Sequence, residues 1–108
     1  MRFGINICFD TQFPEVAARV AAGGARVLLV PAQNMMRQAT AEKWKEEHHR
    51  LRAARARETG MWVVSSDVTG MRGGRVAYGP SSVMNAQGEV IAQVPLMTCG
   101  VAIADLPG

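Results

Sequence analysis

The stretch GINICFDTQFPE, Gly4 to Glu15, passes from an apolar segment straight into helix-start punctuation and leaves a thiol and a carboxylate at the join. Phe3 to Phe9 is rich in Phe and Ile and too short for a helix of its own, whereas Pro14 and Glu15 suit a first helical turn. The reading is strand, then helix. Val16, Ala17, Val20 and Ala21 fall at helical spacing, and Gly23-Gly24 end the helix in the way glycine permits. Arg26-Val27-Leu28-Leu29-Val30 is a second apolar strand stopped by Pro31. Two such strands joined by a helix make a βαβ unit with parallel, buried strands, so the fold class is α/β.

Outward from that unit, a polar loop around Gln33-Asn34 precedes a long helix, predicted from an N-cap at Thr40 to about Glu58 and closed by Gly60. One stripe of it reads Ala41, Trp44, His48, Leu51, Arg55, Glu58, apolar at first and charged at the end. Met61 to Ser66 reads as a third strand and Val68 to Gly79 as a glycine-rich loop. Ser82 to Asn85 and Glu89 to Val94 flank Ala86-Gln87-Gly88 as a hairpin. Val101 to Ala104 is a candidate last strand.

The 108 residues are enough for one domain with a real core, and 48% hydrophobic against 19% charged usage is globular rather than disordered. The basic residues behind the net charge of +3 are spread from Arg2 to Arg75, and the run Arg50, Arg52, Arg55 and Arg57 lacks interleaved aromatics and should partly face the core, which speaks against nucleic acid as a partner. Arg2 is followed by a short apolar run without a cleavage site, and the longest uncharged run, Val90 to Ala104, is broken by Pro95 and shorter than the roughly 20 residues of a membrane span. Cys8 and Cys99 read as free thiols, and a cytoplasmic location without a membrane partner is expected.

Cys8 falls at the carboxyl end of the first strand, where open α/β sheets bind ligands, and it faces the start of the following helix. Unpaired N–H groups there favour a thiolate and a developing oxyanion. A buried structural cysteine is the alternative reading. Asp10 reads as a structural acceptor, and Arg55 with Glu58 as an ion pair anchoring the helix. His48-His49 point in different directions and lack H-E-x-x-H spacing, so no metal is expected. Met35 and Met36 either line a pocket or sit in exposed loop.

Ile7-Cys8-Phe9-Asp10 with Phe13-Pro14-Glu15 resembles the nucleophile segment of the nitrilase, or carbon-nitrogen hydrolase, superfamily. Arg55-Ala56-Arg57-Glu58 is similar to that family's R-A-x-E helix end, and Gly79-Pro80-Ser81-Ser82-Val83 through Gly88 to its G-x-S-x-I…G hairpin. Gln12 stands where arginine is frequent, and Thr59 where asparagine is common. The resemblance implies that residues 1–108 are a single partial domain, the C-terminal part of a four-layer αββα sandwich. It implies a cofactor-free hydrolase that opens amide, nitrile or carbamoyl carbon-nitrogen bonds through a thioester, with Cys8 as nucleophile. Phe9, through its N–H, is the expected oxyanion donor, with Gln33 and Asn34 completing the oxyanion and substrate-binding set. The family's glutamate base and lysine lie upstream of the cysteine and have no counterpart in this sequence; Glu15, Lys43 and Lys45 are poor substitutes. The chain is therefore expected to be truncated and inactive alone, completed by a missing N-terminal half or a homo-oligomer. The competing reading is a non-catalytic, self-associating module.

Overall fold

The computed structural model describes residues 1 to 107. Strand β1 (Phe3–Ile5) leads into a 3₁₀ turn (Cys8–Gln12) and helix α1 (Pro14–Ala22), followed by β2 (Val27–Ala32). The short β3 (Met36–Arg37) precedes the long helix α2 (Gln38–Thr59), and β4 (Trp62–Asp67) follows it. The chain continues through β5 (Gly70–Arg72), β6 (Arg75–Ala77), β7 (Ser82–Met84) and β8 (Val90–Gln93).

The main sheet has the order β1-β2-β4-β7-β8. β1, β2 and β4 run parallel, with Phe3 opposite Val27 and Ala32 opposite Asp67, while β7 and β8 continue the sheet antiparallel. The expected βαβ unit and the β7–β8 hairpin are both present. Apolar strand residues meet both helices on one face, where Leu28, Val30, Val63, Met61 and Met84 pack with Ala17, Ala53 and Ala56. Small helix residues let α1 and α2 lie close to the strands, and burial at about 25 cal/mol per Å² of apolar area is what holds the layers together. Gly4 shows how close: a Cβ there would lie 2.2 Å from Val20 Cγ1, so α1 can rest on β1 only because that position has no side chain. Phe3 and Ile5 point the other way by strand alternation and are exposed, as is Ile91 on the opposite edge strand.

Three sequence expectations are corrected. Helix α2 begins at Gln38 rather than after Thr40, with Arg37 as a cap residue that makes no side-chain cap bond. The stretch from Val68 to Gly79 is not all loop: β5 and β6 pair through Gly73-Gly74, both at positive φ, and β6 pairs in turn with β3 in a small second sheet. The same glycines that read as loop supply the tight turn this hairpin needs. Val101 to Ala104 forms no strand and pairs with nothing in the sheets, leaving Val101 and Ile103 more than 80% exposed. Cys99 is likewise exposed in irregular chain.

Candidate active site

The carboxyl ends of β1, β2 and β4 lie side by side, and each delivers one polar side chain to the same place: Cys8 after β1, Asn34 after β2 and Asp67 ending β4. This is where parallel sheets position ligands, because three backbones terminate together there and leave a crevice. A cavity of about 320 Å³ opens between these strand ends and α2. Cys8, Phe9, Gln33, Asn34, Trp44 and His48 all face it.

Cys8 has φ +44°, in the left-handed region that side chains other than glycine rarely occupy and that costs about 1–3 kcal/mol. Asp10 holds this turn. Its carboxylate accepts the Ile7 N–H at 3.0 Å, its own N–H donates to the Ile7 carbonyl at 2.9 Å, and its carbonyl accepts the Phe13 N–H at 3.1 Å. The turn brings the half-buried thiol to the cavity with Sγ 3.6 Å from Asn34 Oδ1.

Asp67 organises the floor. Its side chain is fully buried and that of Arg52 nearly so. One carboxylate oxygen accepts the backbone N–H of Asn34 at 3.0 Å and that of Val68 at 2.9 Å. The other accepts Asn34 Nδ2 at 2.6 Å and Arg52 Nη2 at 3.1 Å. Arg52 also donates from Nη1 to the Pro80 carbonyl at 3.2 Å, and the Asp67 N–H donates to Ser81 Oγ at 2.9 Å. Burial pushes the Arg52 guanidinium down from its ordinary range, and Asp67 opposes that shift. A buried charge of this kind is tolerated when it is paired and hydrogen-bonded. His48, stacked beside Trp44, is held below the usual imidazole range, first by burial and then by the Arg52 charge.

The expected site residues converge in part. Cys8, Phe9, Gln33 and Asn34 all line the cavity, as does Met36. Asn34 donates from its amide nitrogen to Asp67 and turns its carbonyl oxygen to the sulfur, so what it presents to Cys8 is an acceptor. Lys45 is paired with Glu42 at 2.9 Å and lies over the Tyr78 ring, while Tyr78 donates to Glu42. Glu15 is exposed on α1. Arg55 pairs with Glu58 at 2.9 Å, as the spacing implied. Sequence reading missed Asp67, Arg52 and His48. The rule that singled out Cys8, a polar residue at the carboxyl end of a parallel strand, applies equally to Asp67. Among the described residues no group of three or more His, Cys, Asp or Glu is placed to hold a metal ion, and no helix is long and apolar enough to cross a membrane.

The fold is α/β, with a thiol in a left-handed turn at the joined ends of its parallel strands. The carbon-nitrogen hydrolase family model matches residues 1–108, and the chain belongs to that family. It is 31% identical over 106 residues to the deaminated glutathione amidase of Dictyostelium discoideum, covering 97% of this chain and 35% of that one. It is 30% identical over 106 residues to a nitrilase of Pyrococcus abyssi, covering 98% and 37%. The glutamine-dependent NAD(+) synthetase of Rhodobacter capsulatus matches at 31% identity over 95% of this chain, which spans only 18% of the synthetase. Among solved structures, the amidase from Nesterenkonia sp. AN1 superposes with a TM-score of 0.79 at 28% identity, over 97% of this chain and 37% of the amidase. That amidase is a variant with the acetamide moiety of fluoroacetamide added covalently at its active site cysteine. The chain thus spans well under half the length of these relatives.

Proposed function

We propose that this chain carries the nucleophile segment of a cysteine-dependent hydrolase that opens the carbon-nitrogen bond of a small amide, nitrile or carbamoyl compound. The observation that carries the reading is Cys8, held at φ +44° where three parallel strands end and facing a cavity large enough for a small substrate. In the proposed reaction Cys8 Sγ attacks the substrate carbon, and charge develops on the carbonyl oxygen or nitrile nitrogen. The Phe9 N–H lies next in the chain and is assigned as a donor to that charge, with the Gln33 amide as a polar contact on the same cavity wall. From an amide or carbamoyl group the carbon-nitrogen bond then breaks and ammonia or amine leaves carrying a proton; a nitrile first gives a thioimidate, and one water converts it to the thioester with loss of ammonia. A further water hydrolyses the thioester. Side chains and water suffice for these steps, so no cofactor is assigned.

The base is assigned to residues outside these 108. Asp67 already accepts from Asn34, Val68 and Arg52, and Glu42 and Lys45 satisfy each other and Tyr78. Residues 1–108 are accordingly proposed as the C-terminal part of a four-layer αββα sandwich, in which the apolar sheet face around Phe3 and Ile5 is covered by further chain or by a second copy. A cytoplasmic location belongs to the same proposal.

The test uses a substrate whose leaving group needs no protonation. Incubation with p-nitrophenyl acetate followed by peptide mass spectrometry is expected to find the acetyl thioester on Cys8 and to leave Cys99 unmodified. Acetylation of Cys99 with Cys8 untouched would overturn the assignment of Cys8 as nucleophile.

A further inference from the structure

We propose that Asp67 and Arg52 are positioning residues for Cys8, acting through Asn34, whose carbonyl oxygen they lock toward the sulfur as acceptor for the thiol proton. The inference rests on Cys8 being the nucleophile and adds a device that the family match does not supply.

A carboxylate accepts hydrogen bonds and donates none when ionised, whereas an asparagine amide has one accepting end and one donating end. Asn34 Nδ2 stands 2.6 Å from Asp67 Oδ2, so the reversed amide would set two oxygens against each other at that distance. Asp67 therefore decides which end of Asn34 meets Cys8. It can do so because it is itself immobile: four N–H groups converge on its two oxygens, and its side chain is fully buried. Arg52 supplies the one full positive charge in that set and is anchored at its other amino group by the Pro80 carbonyl. The result runs in one direction, from Arg52 to Asp67 to Asn34 to the sulfur. The oxygen presented to Cys8 is a partner for S–H and not for a sulfur anion. It holds the thiol aimed into the cavity until a base removes the proton, at which point the Oδ1 contact ceases to favour the sulfur where it stands.

The experiment measures iodoacetamide alkylation of Cys8 across pH by mass spectrometry, with Cys99 in the same molecule as internal reference. In Asp67→Asn the constraint is lifted, the Asn34 amide can turn its NH₂ to the sulfur, and alkylation of Cys8 at neutral pH is expected to rise about tenfold, with its pH profile displaced to lower pH. The exchange Asn34→Asp with Asp67→Asn keeps one carboxylate and one amide but sets the carboxylate against the sulfur. It is expected to slow Cys8 about tenfold and displace the profile to higher pH. Cys99 should be unchanged in both. A merely structural role predicts no such opposed displacements, and a Cys8 profile that moves in neither variant, or in the same direction in both, overturns the proposal. If Asp67→Asn alone does not fold, the exchange variant decides: slowed Cys8 supports the device and unchanged or faster Cys8 overturns it. Failure of p-nitrophenyl acetate to acylate wild-type Cys8 would instead count against the nucleophile assignment, and the two failures are separately visible.

Discussion

Cys8 and Cys99 are chemically identical side chains in opposite circumstances, and the contrast shows what makes a thiol part of a site. Cys8 sits in a left-handed turn clamped by Asp10, beside a buried network that reaches across three strands to α2. Cys99 lies in exposed, irregular chain after the last strand, flanked by Val101 and Ile103 that bury almost nothing. The first region is over-determined by hydrogen bonds and packing, while the second is tied down upstream of Cys99, where the Met97 N–H donates to the Tyr78 carbonyl and Thr98 to that of Pro95, and leaves the cysteine itself exposed. Substitutions should therefore be costly near Cys8 and nearly free near Cys99.

The largest expected effect is at Asp67. Asp67→Ala leaves the Arg52 guanidinium buried without its partner and should destabilise the chain by about 3–5 kcal/mol in urea unfolding. A loss below about 1 kcal/mol would place the network on a par with exposed ion pairs and erase the contrast. Next comes Gly4→Ala, which drives a methyl into Val20 and should cost about 1–3 kcal/mol by overpacking where α1 meets β1. On the other side of the comparison, Cys99→Ser and Ile103→Ala should each fall within about 0.5 kcal/mol of the parent. A larger loss from either would mean that the tail packs against something in solution.

A smaller effect is expected from pH. His48 is held below its ordinary range in the folded chain, so the unfolded chain binds its proton more readily. The folded state should lose stability as pH falls through the unfolded value near 6.5 toward the lower folded one, and regain it above. Solvent reaches much of the ring, so the slope is shallow. His48→Gln should flatten it, and an unaltered slope would assign it to other groups.

These contrasts also mark what a reader of the sequence could see. Strand–helix–strand order at the start, α2 and the β7–β8 hairpin are legible because each is a local pattern with its own punctuation. Cys8 is legible because it sits on the first of those boundaries. The Asp67–Arg52 pair is not, since it needs the parallel register that sets Ala32 opposite Asp67 and the helix turn that aims Arg52 inward. In the string, Arg52 is one arginine in a basic run of which part should face the core, and no local signal says that Arg52 is the one to meet Asp67. The β5–β6 hairpin hides for the opposite reason: glycine density signals loop, and only the buried Val76 and Ala77 betray a strand. Val101 to Ala104 carries the apolar letters of a strand but pairs with none of the sheet edges.

Central to the proposed function is that Cys8, and not Cys99, lies in a site for a small amide. It is tested most directly by the concentration dependence of alkylation with iodoacetamide, whose own amide can occupy the cavity. The rate at Cys8 should saturate and fall in the presence of excess propionamide, whereas the rate at Cys99 should rise linearly and ignore the competitor. Linear kinetics at both thiols, with no protection of Cys8, would contradict it.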